Sequence, residues 1–109
     1  MEDDHHKNLG DLCAALLLLE TTEEVRNFLH DLCTPAEIIS LAERWRVCRL
    51  LANKDLSYRE IHRATGASLT TIGRVARFLK DEPYHGYLTI LNKLKKIKND
   101  NGDIDSHKT

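Results

Sequence analysis

SYREIHRATGASLTTIGRVARFL, residues 57–79, reads as helix, tight turn, helix. Ser57 followed by Glu60 is a capping box that starts the first of the two helices. Thr65-Gly66 ends it, because a sharp bend of this kind commonly needs positive φ. Ser68 caps the second helix, which is expected to run to about Lys80. Ile61, Ala64, Leu69, Ile72, Ala76 and Leu79 are expected to point inward and lock the two together. The other side of the second helix shows Thr70, Thr71, Arg74 and Arg77, groups that bond to base edges and phosphates in a major groove. The candidate DNA-binding set is Tyr58, Arg59, His62, Ser68, Leu69, Thr70, Thr71, Arg74 and Arg77. Tyr58, Arg59 and His62 would meet the backbone, and the small Ser68 and Thr70 allow a close approach. Leu69 is counted both in this set and in the inward stripe.

The charge distribution points the same way. The net charge is −1, which alone would argue against a nucleic-acid partner. Residues 44–80, however, hold nine bases against Asp55 and Glu60, a local net charge of +7. Residues 1–43 hold Lys7 and Arg26 against ten acids. A basic middle in a near-neutral chain is the footprint of a phosphate-binding face.

Outward from this centre the chain reads as all-α, with six helices and one domain over residues 8–98. Polar residues 1–7 and the tail 99–109 are expected to be disordered. The first helix, Asn8 to Leu19, ends in a run that is apolar all round, more than one face can bury, which suggests sharing between subunits. The second starts at Thr21 or Thr22, with Val25, Phe28, Leu29 and Leu32 as its stripe. Thr34, Pro35 and Glu37 start the third, with a core stripe of Ile38, Leu41, Trp45, Cys48 and Ala52. Pro83 breaks the chain before a last amphipathic helix carrying Tyr87, Ile90, Leu91, Leu94 and Ile97.

Several classes are excluded or disfavoured. No apolar run reaches the roughly 18 residues that span a membrane, and Ala14–Leu19 fits neither signal peptide nor anchor. Cys13, Cys33 and Cys48 form no C-x-x-C pair and read as reduced, mostly buried thiols of a cytoplasmic protein. No metal site and no cofactor is expected. No Ser/His/Asp order or glycine-rich phosphate loop suggests an enzyme. The rival outside DNA binding is a dimeric helical interaction module. A rival within it is a replication-initiation type reader, disfavoured because no ATPase portion accompanies it.

The run Thr34–Leu79, with TPAEI, AERWRVCRLL and YREIHRATGAS-TTIGRV in order, resembles the Trp repressor family. It is more closely similar to the Trp-repressor-related YerC/YecD group, and FLHDLCT at 28–34 extends the match to most of residues 12–94. The resemblance implies an intertwined homodimer that represses transcription, its two reader heads spaced for successive major grooves of double-stranded DNA. It also maps the two arginines that sandwich the tryptophan corepressor onto Arg44 and Arg74. The family's small glycine is Val75 here, and its ligand-holding serine is Phe78. These bulky residues are expected to fill the indole space, so that the reader works without tryptophan; a tryptophan-responsive repressor, or one controlled by another small molecule, is the alternative.

Overall fold

A computed structural model describes the backbone of residues 2–53 and 55–100, and the side chains of 4–53 and 55–100. Six helices follow one another: α1 Glu2–Leu16, α2 Thr22–Leu32, α3 Pro35–Asn53, α4 Tyr58–Thr65, α5 Leu69–Lys80 and α6 Gly86–Asp100. Among the described residues there is no strand, and no helix is long and apolar enough to cross a membrane.

The helix starts obey local chemistry. The Thr21 hydroxyl accepts from the Glu24 amide at 3.0 Å, capping α2. At α3 the Thr34 hydroxyl accepts from the Glu37 amide at 3.1 Å, while the Glu37 carboxylate accepts from the Thr34 amide at 2.8 Å. The same reciprocal box, at 3.1 and 2.7 Å, joins Ser57 and Glu60 at α4. Each such cap is worth about 1 kcal/mol. The Ser57 amide and hydroxyl hold the Glu60 carboxyl below its ordinary value of 4.5. The stabilisation from that carboxylate is therefore complete above the ordinary value and lost as pH falls through the lowered one.

The chain divides into two units, 1–40 and 41–109. The first holds α1, α2 and the opening of α3, and none of its described residues is fully buried. The second has the hydrophobic core: Val47, Cys48 and Leu51 from α3, Ile61 from α4, Ala67 from the turn, and Ile72, Val75, Ala76 and Leu79 from α5. Trp45, Leu50, Leu56, Tyr87 and Leu91 pack half-buried around it. No polar side chain is buried there, so the core costs no desolvated polar group. Burial pushes the Cys48 thiol up to about 11, which keeps it a protonated, unreactive apolar filler.

Several expectations need correction. α1 begins at Glu2, so the lead-in 1–7 is helical from its second residue; Lys7 and Asp11 pair across one turn at 3.5 Å. It stops at Leu16, and Leu17–Leu19 form tight turns instead, with amide-to-carbonyl bonds of 3.0 to 3.2 Å. α6 runs through Asp100, so residues 99 and 100 are helical, and residues 101–109 lie outside the described ones. Of the cysteines only Cys48 is buried; Cys33 is half-buried and Cys13 exposed. α3 buries Val47, Cys48 and Leu51 rather than the line Ile38–Leu41–Trp45–Cys48–Ala52. Ala64 is exposed, and so is Leu69 at 53%, while Ala67 in the connection is buried and closes the core there.

Truncating Ile61 to alanine should therefore cost about 2–5 kcal/mol. Leu69→Ala should stay within about 0.5 kcal/mol, as for other surface changes. Urea unfolding of the two variants side by side checks the contrast.

Candidate nucleic-acid interface

Buried Ile61 and Ile72 share one core that holds α4 and α5 together across the three-residue connection Gly66–Ser68, and hydrogen bonds fix its course. Gly66 is left-handed at φ 79°, and its amide donates to the His62 carbonyl at 2.8 Å. The Thr65 hydroxyl donates to the Ile61 carbonyl at 2.8 Å and accepts from the Ala67 amide at 3.0 Å. His62 Nδ1 reaches the Ala67 carbonyl at 2.6 Å. A carbonyl only accepts, so Nδ1 must carry the proton. A neutral His62 then shows a lone pair at Nε2, and only an imidazolium could donate there. His62 is thus part of the turn's frame, a role the sequence reading did not assign it.

With Ile72, Val75, Ala76 and Leu79 buried, the outer face of α5 is fixed by helical geometry. Thr70, Arg74 and Arg77 are exposed along it, with half-buried Gly73 between them. Ser68 and Thr71 are mutually engaged: the Ser68 hydroxyl accepts from the Thr71 amide at 3.0 Å and donates to the Thr71 hydroxyl at 3.1 Å. Thr71 is half-buried, so its hydroxyl works chiefly in the cap. On α4, Tyr58, Arg59, His62 and Arg63 are exposed. The structure keeps the expected set on this helix pair and its connection, and Arg63 is exposed on the same helix as Tyr58, Arg59 and His62.

The two arginines of α5 are not free-floating. The Arg74 guanidinium lies 4.3 Å from the centre of the Phe78 ring, and that of Arg77 lies 5.0 Å from it. Arg77 Nε also pairs with Glu82 at 3.4 Å. Exposed contacts of these kinds are each worth about 1 kcal/mol or less. Phe78 is half-buried rather than core, and Val75 is fully buried. Phe78 forms the wall of a concavity of about 270 Å³ with Arg74, Tyr84, His85, Gly86 and Tyr87. Tyr87 stacks tilted on Trp45 with centroids 6.4 Å apart. Burial raises the Tyr87 hydroxyl above its usual 10, and Cys48 adds to this, while Arg74 and Arg44 pull it back. Both arginines mapped to the corepressor thus act on Tyr87. Among the described residues no three His, Cys, Asp or Glu side chains gather as a metal site.

Six helices in this order, with α4 and α5 held across a left-handed glycine, define an all-helical fold of the Trp repressor type. The family model for the Trp repressor protein matches residues 7–95. The chain is 45% identical over 73 residues to the uncharacterized protein YerC of Bacillus subtilis (strain 168), a stretch covering 67% of this chain and 69% of that one. It is similar in structure to a TrpR-like protein from Eubacterium eligens, with 35% identity, a TM-score of 0.75, and coverage of 82% of this chain and 90% of that one. A Staphylococcus aureus protein solved as a candidate Trp repressor matches with 37% identity and the same TM-score, over 82% of this chain and 87% of that one. The chain belongs to the Trp repressor family.

Nitrogen-15 NMR should show His62 protonated at Nδ1, the nitrogen that faces the Ala67 carbonyl. A ring protonated only at Nε2 would contradict the bond to Ala67. His62→Ala should cost about 1 kcal/mol of stability, the net value of one such bond.

Proposed function

We propose that this chain is a sequence-specific regulator of transcription, a repressor that reads double-stranded DNA as a homodimer with α5 in the major groove. The observation that carries the reading is the exposed face Thr70–Arg74–Arg77 beside Arg59, His62 and Arg63, inside a segment of net charge +7. Family membership supports it. In this reading Arg59 and Arg63 neutralise phosphates, His62 meets the backbone, and Thr70 and Arg74 meet base edges. Ser68, Leu69 and Thr71 build the start of the reader helix, and Tyr58 flanks it.

Dimerisation is supported by apolar surface that one chain leaves uncovered: Leu17 is 85% exposed, Leu18 78% and Ile39 67%. The rival reading, a helical interaction module without DNA, leaves the basic face of α5 without a task. A gel shift with random duplex DNA at low salt separates the two.

The reader acts without tryptophan. Val75 belongs to the core and Phe78 lies beneath the Arg74 guanidinium, so Arg74 already has an aromatic partner within the chain. The open concavity beside Phe78 is the observation that favours a ligand-responsive alternative.

DNA affinity should fall steeply with salt, with a log–log slope of about −0.9 per neutralised phosphate. Arg59→Ala should weaken binding to every duplex and flatten that slope by about one such unit. Thr70→Ala should instead change which duplex is preferred. Equal losses on all DNA from both variants would contradict the division of roles.

Isothermal titration with tryptophan should give no saturable heat, and tryptophan should leave DNA affinity unchanged. A saturable heat at one site per subunit would assign the concavity beside Phe78 to the amino acid and overturn the corepressor-free reading.

A further inference from the structure

Of the arginines on α4 and α5, Arg77 is the one paired with an acid among the described residues. That acid, Glu82, sits where acids are ordinarily disfavoured. It follows the C-cap Asp81, and a carboxylate near the carbonyl end of a helix opposes the helix dipole. Helix stability therefore gives no reason for a carboxylate there. The main chain delivers it to Arg77 nonetheless. The Asp81 and Glu82 amides both donate to the Arg77 carbonyl, at 2.7 and 3.1 Å, so the chain folds back on the last turn of α5. Pro83 then narrows the conformations open to Glu82. Its carboxylate lies 3.4 Å from Arg77 Nε, and the guanidinium lies 5.0 Å from the centre of the Phe78 ring.

Arg77 is on the exposed line Thr70–Arg74–Arg77, two helical turns beyond Thr70 and about 10 Å further along the axis. The N-terminal end of a reader helix meets base edges, which leaves an arginine at the far end to the phosphates. A carboxylate and a phosphodiester offer an arginine the same thing, two oxygens that share a negative charge. Both cannot hold one guanidinium at full strength. The carboxylate also repels a phosphate at this range, well inside the screening length of about 8 Å at physiological salt. With the side chains 58% and 31% exposed, the pair is open to water and weak enough to be exchanged.

We propose that Arg77 is a phosphate-contacting residue of the reader and that Glu82 is the phosphate's stand-in on it, a built-in competitor that holds affinity for every duplex below what the basic face could reach. The proposal rests on the DNA-binding reading. Each phosphate contact at Arg77 is then an exchange of one anion for another. Glu82 thereby has a task that neither helix stability nor base recognition asks of it.

The test measures duplex binding by the full-length protein across a salt series. Glu82→Gln keeps the size of the side chain and removes its charge. It should bind every duplex about three- to five-fold more tightly at physiological salt, the equilibrium equivalent of one exposed ion pair. It should also steepen the log–log salt slope by up to about 0.9, one further phosphate neutralised. In an Arg77→Ala background the same change should gain less than about two-fold, a coupling that assigns the effect to the pair. Unchanged affinity of Glu82→Gln overturns the proposal. So does weaker binding, which would make Glu82 a support that aims Arg77 at DNA, or an equal gain without Arg77, which would make Glu82 a general repulsion of the polyanion. A wild type and a Glu82→Gln variant that bind no duplex even at low salt overturn the DNA-binding reading together with this one, an outcome separate from the other three.

Discussion

The left-handed turn at Gly66, clamped by the burial of Ile61 against Ile72, is the constraint on which the rest of the second unit depends. α4 has eight residues and α5 twelve, both too short to persist alone in water. They exist because each turns an apolar face to the other and to Val47, Cys48 and Leu51 of α3. That mutual burial requires the chain to reverse within Thr65–Ser68. A residue other than glycine would pay about 1–2 kcal/mol in the left-handed conformation. The bonds from Thr65 and His62 then leave the turn a single course. The direction in which α5 presents its outer face follows from that course, so the candidate interface is a consequence of core packing and turn chemistry together.

The energies at the surface have a different scale. Arg74 and Arg77 share the Phe78 ring, and Arg77 also holds Glu82, through contacts of about 1 kcal/mol or less apiece. A guanidinium held this weakly has its search for a geometry narrowed without being committed. A phosphate offering a paired, charge-assisted hydrogen bond competes well against such partners. Glu82 and Phe78 therefore suit a surface that waits for an anion better than one that has found its final partner. It also fits the proposal that a chain of net charge −1 meets a polyanion: the acids are concentrated before residue 44, away in sequence from the basic segment.

What was legible in the sequence follows the range of the interactions. Caps at Thr34, Ser57 and Ser68 and the bend at Gly66 are made within four residues, so residue order alone specified them. The buried face of α3 was not legible in the same way. Ile38, Ile39, Leu41, Trp45, Val47, Cys48, Leu50 and Leu51 leave apolar groups on several sides, and only the position of α4 and α5 selects Val47 and Leu51. The cover of Phe78 was not legible either, because guanidinium groups of Arg74 and Arg77 supply part of it.

The two units differ in whether a single chain satisfies them. Residues 41–100 hold every fully buried apolar side chain among the described residues. Residues 4–40 hold none, although Leu9, Leu16, Leu17, Leu18, Val25, Leu32 and Ile39 supply ample apolar surface. Fully burying a side chain of this size is worth about 1.5–3 kcal/mol. A segment with that much uncovered apolar surface and no interior of its own is at its most stable when something covers it. A second copy of the same segment offers a cover of matching character, and twofold symmetry would repeat each contact. In the proposed dimer the labour is then divided along the chain. The first forty residues would associate, joined by exposed apolar side chains of α6 such as Ile90, Leu94 and Ile97, and the remainder would present α5.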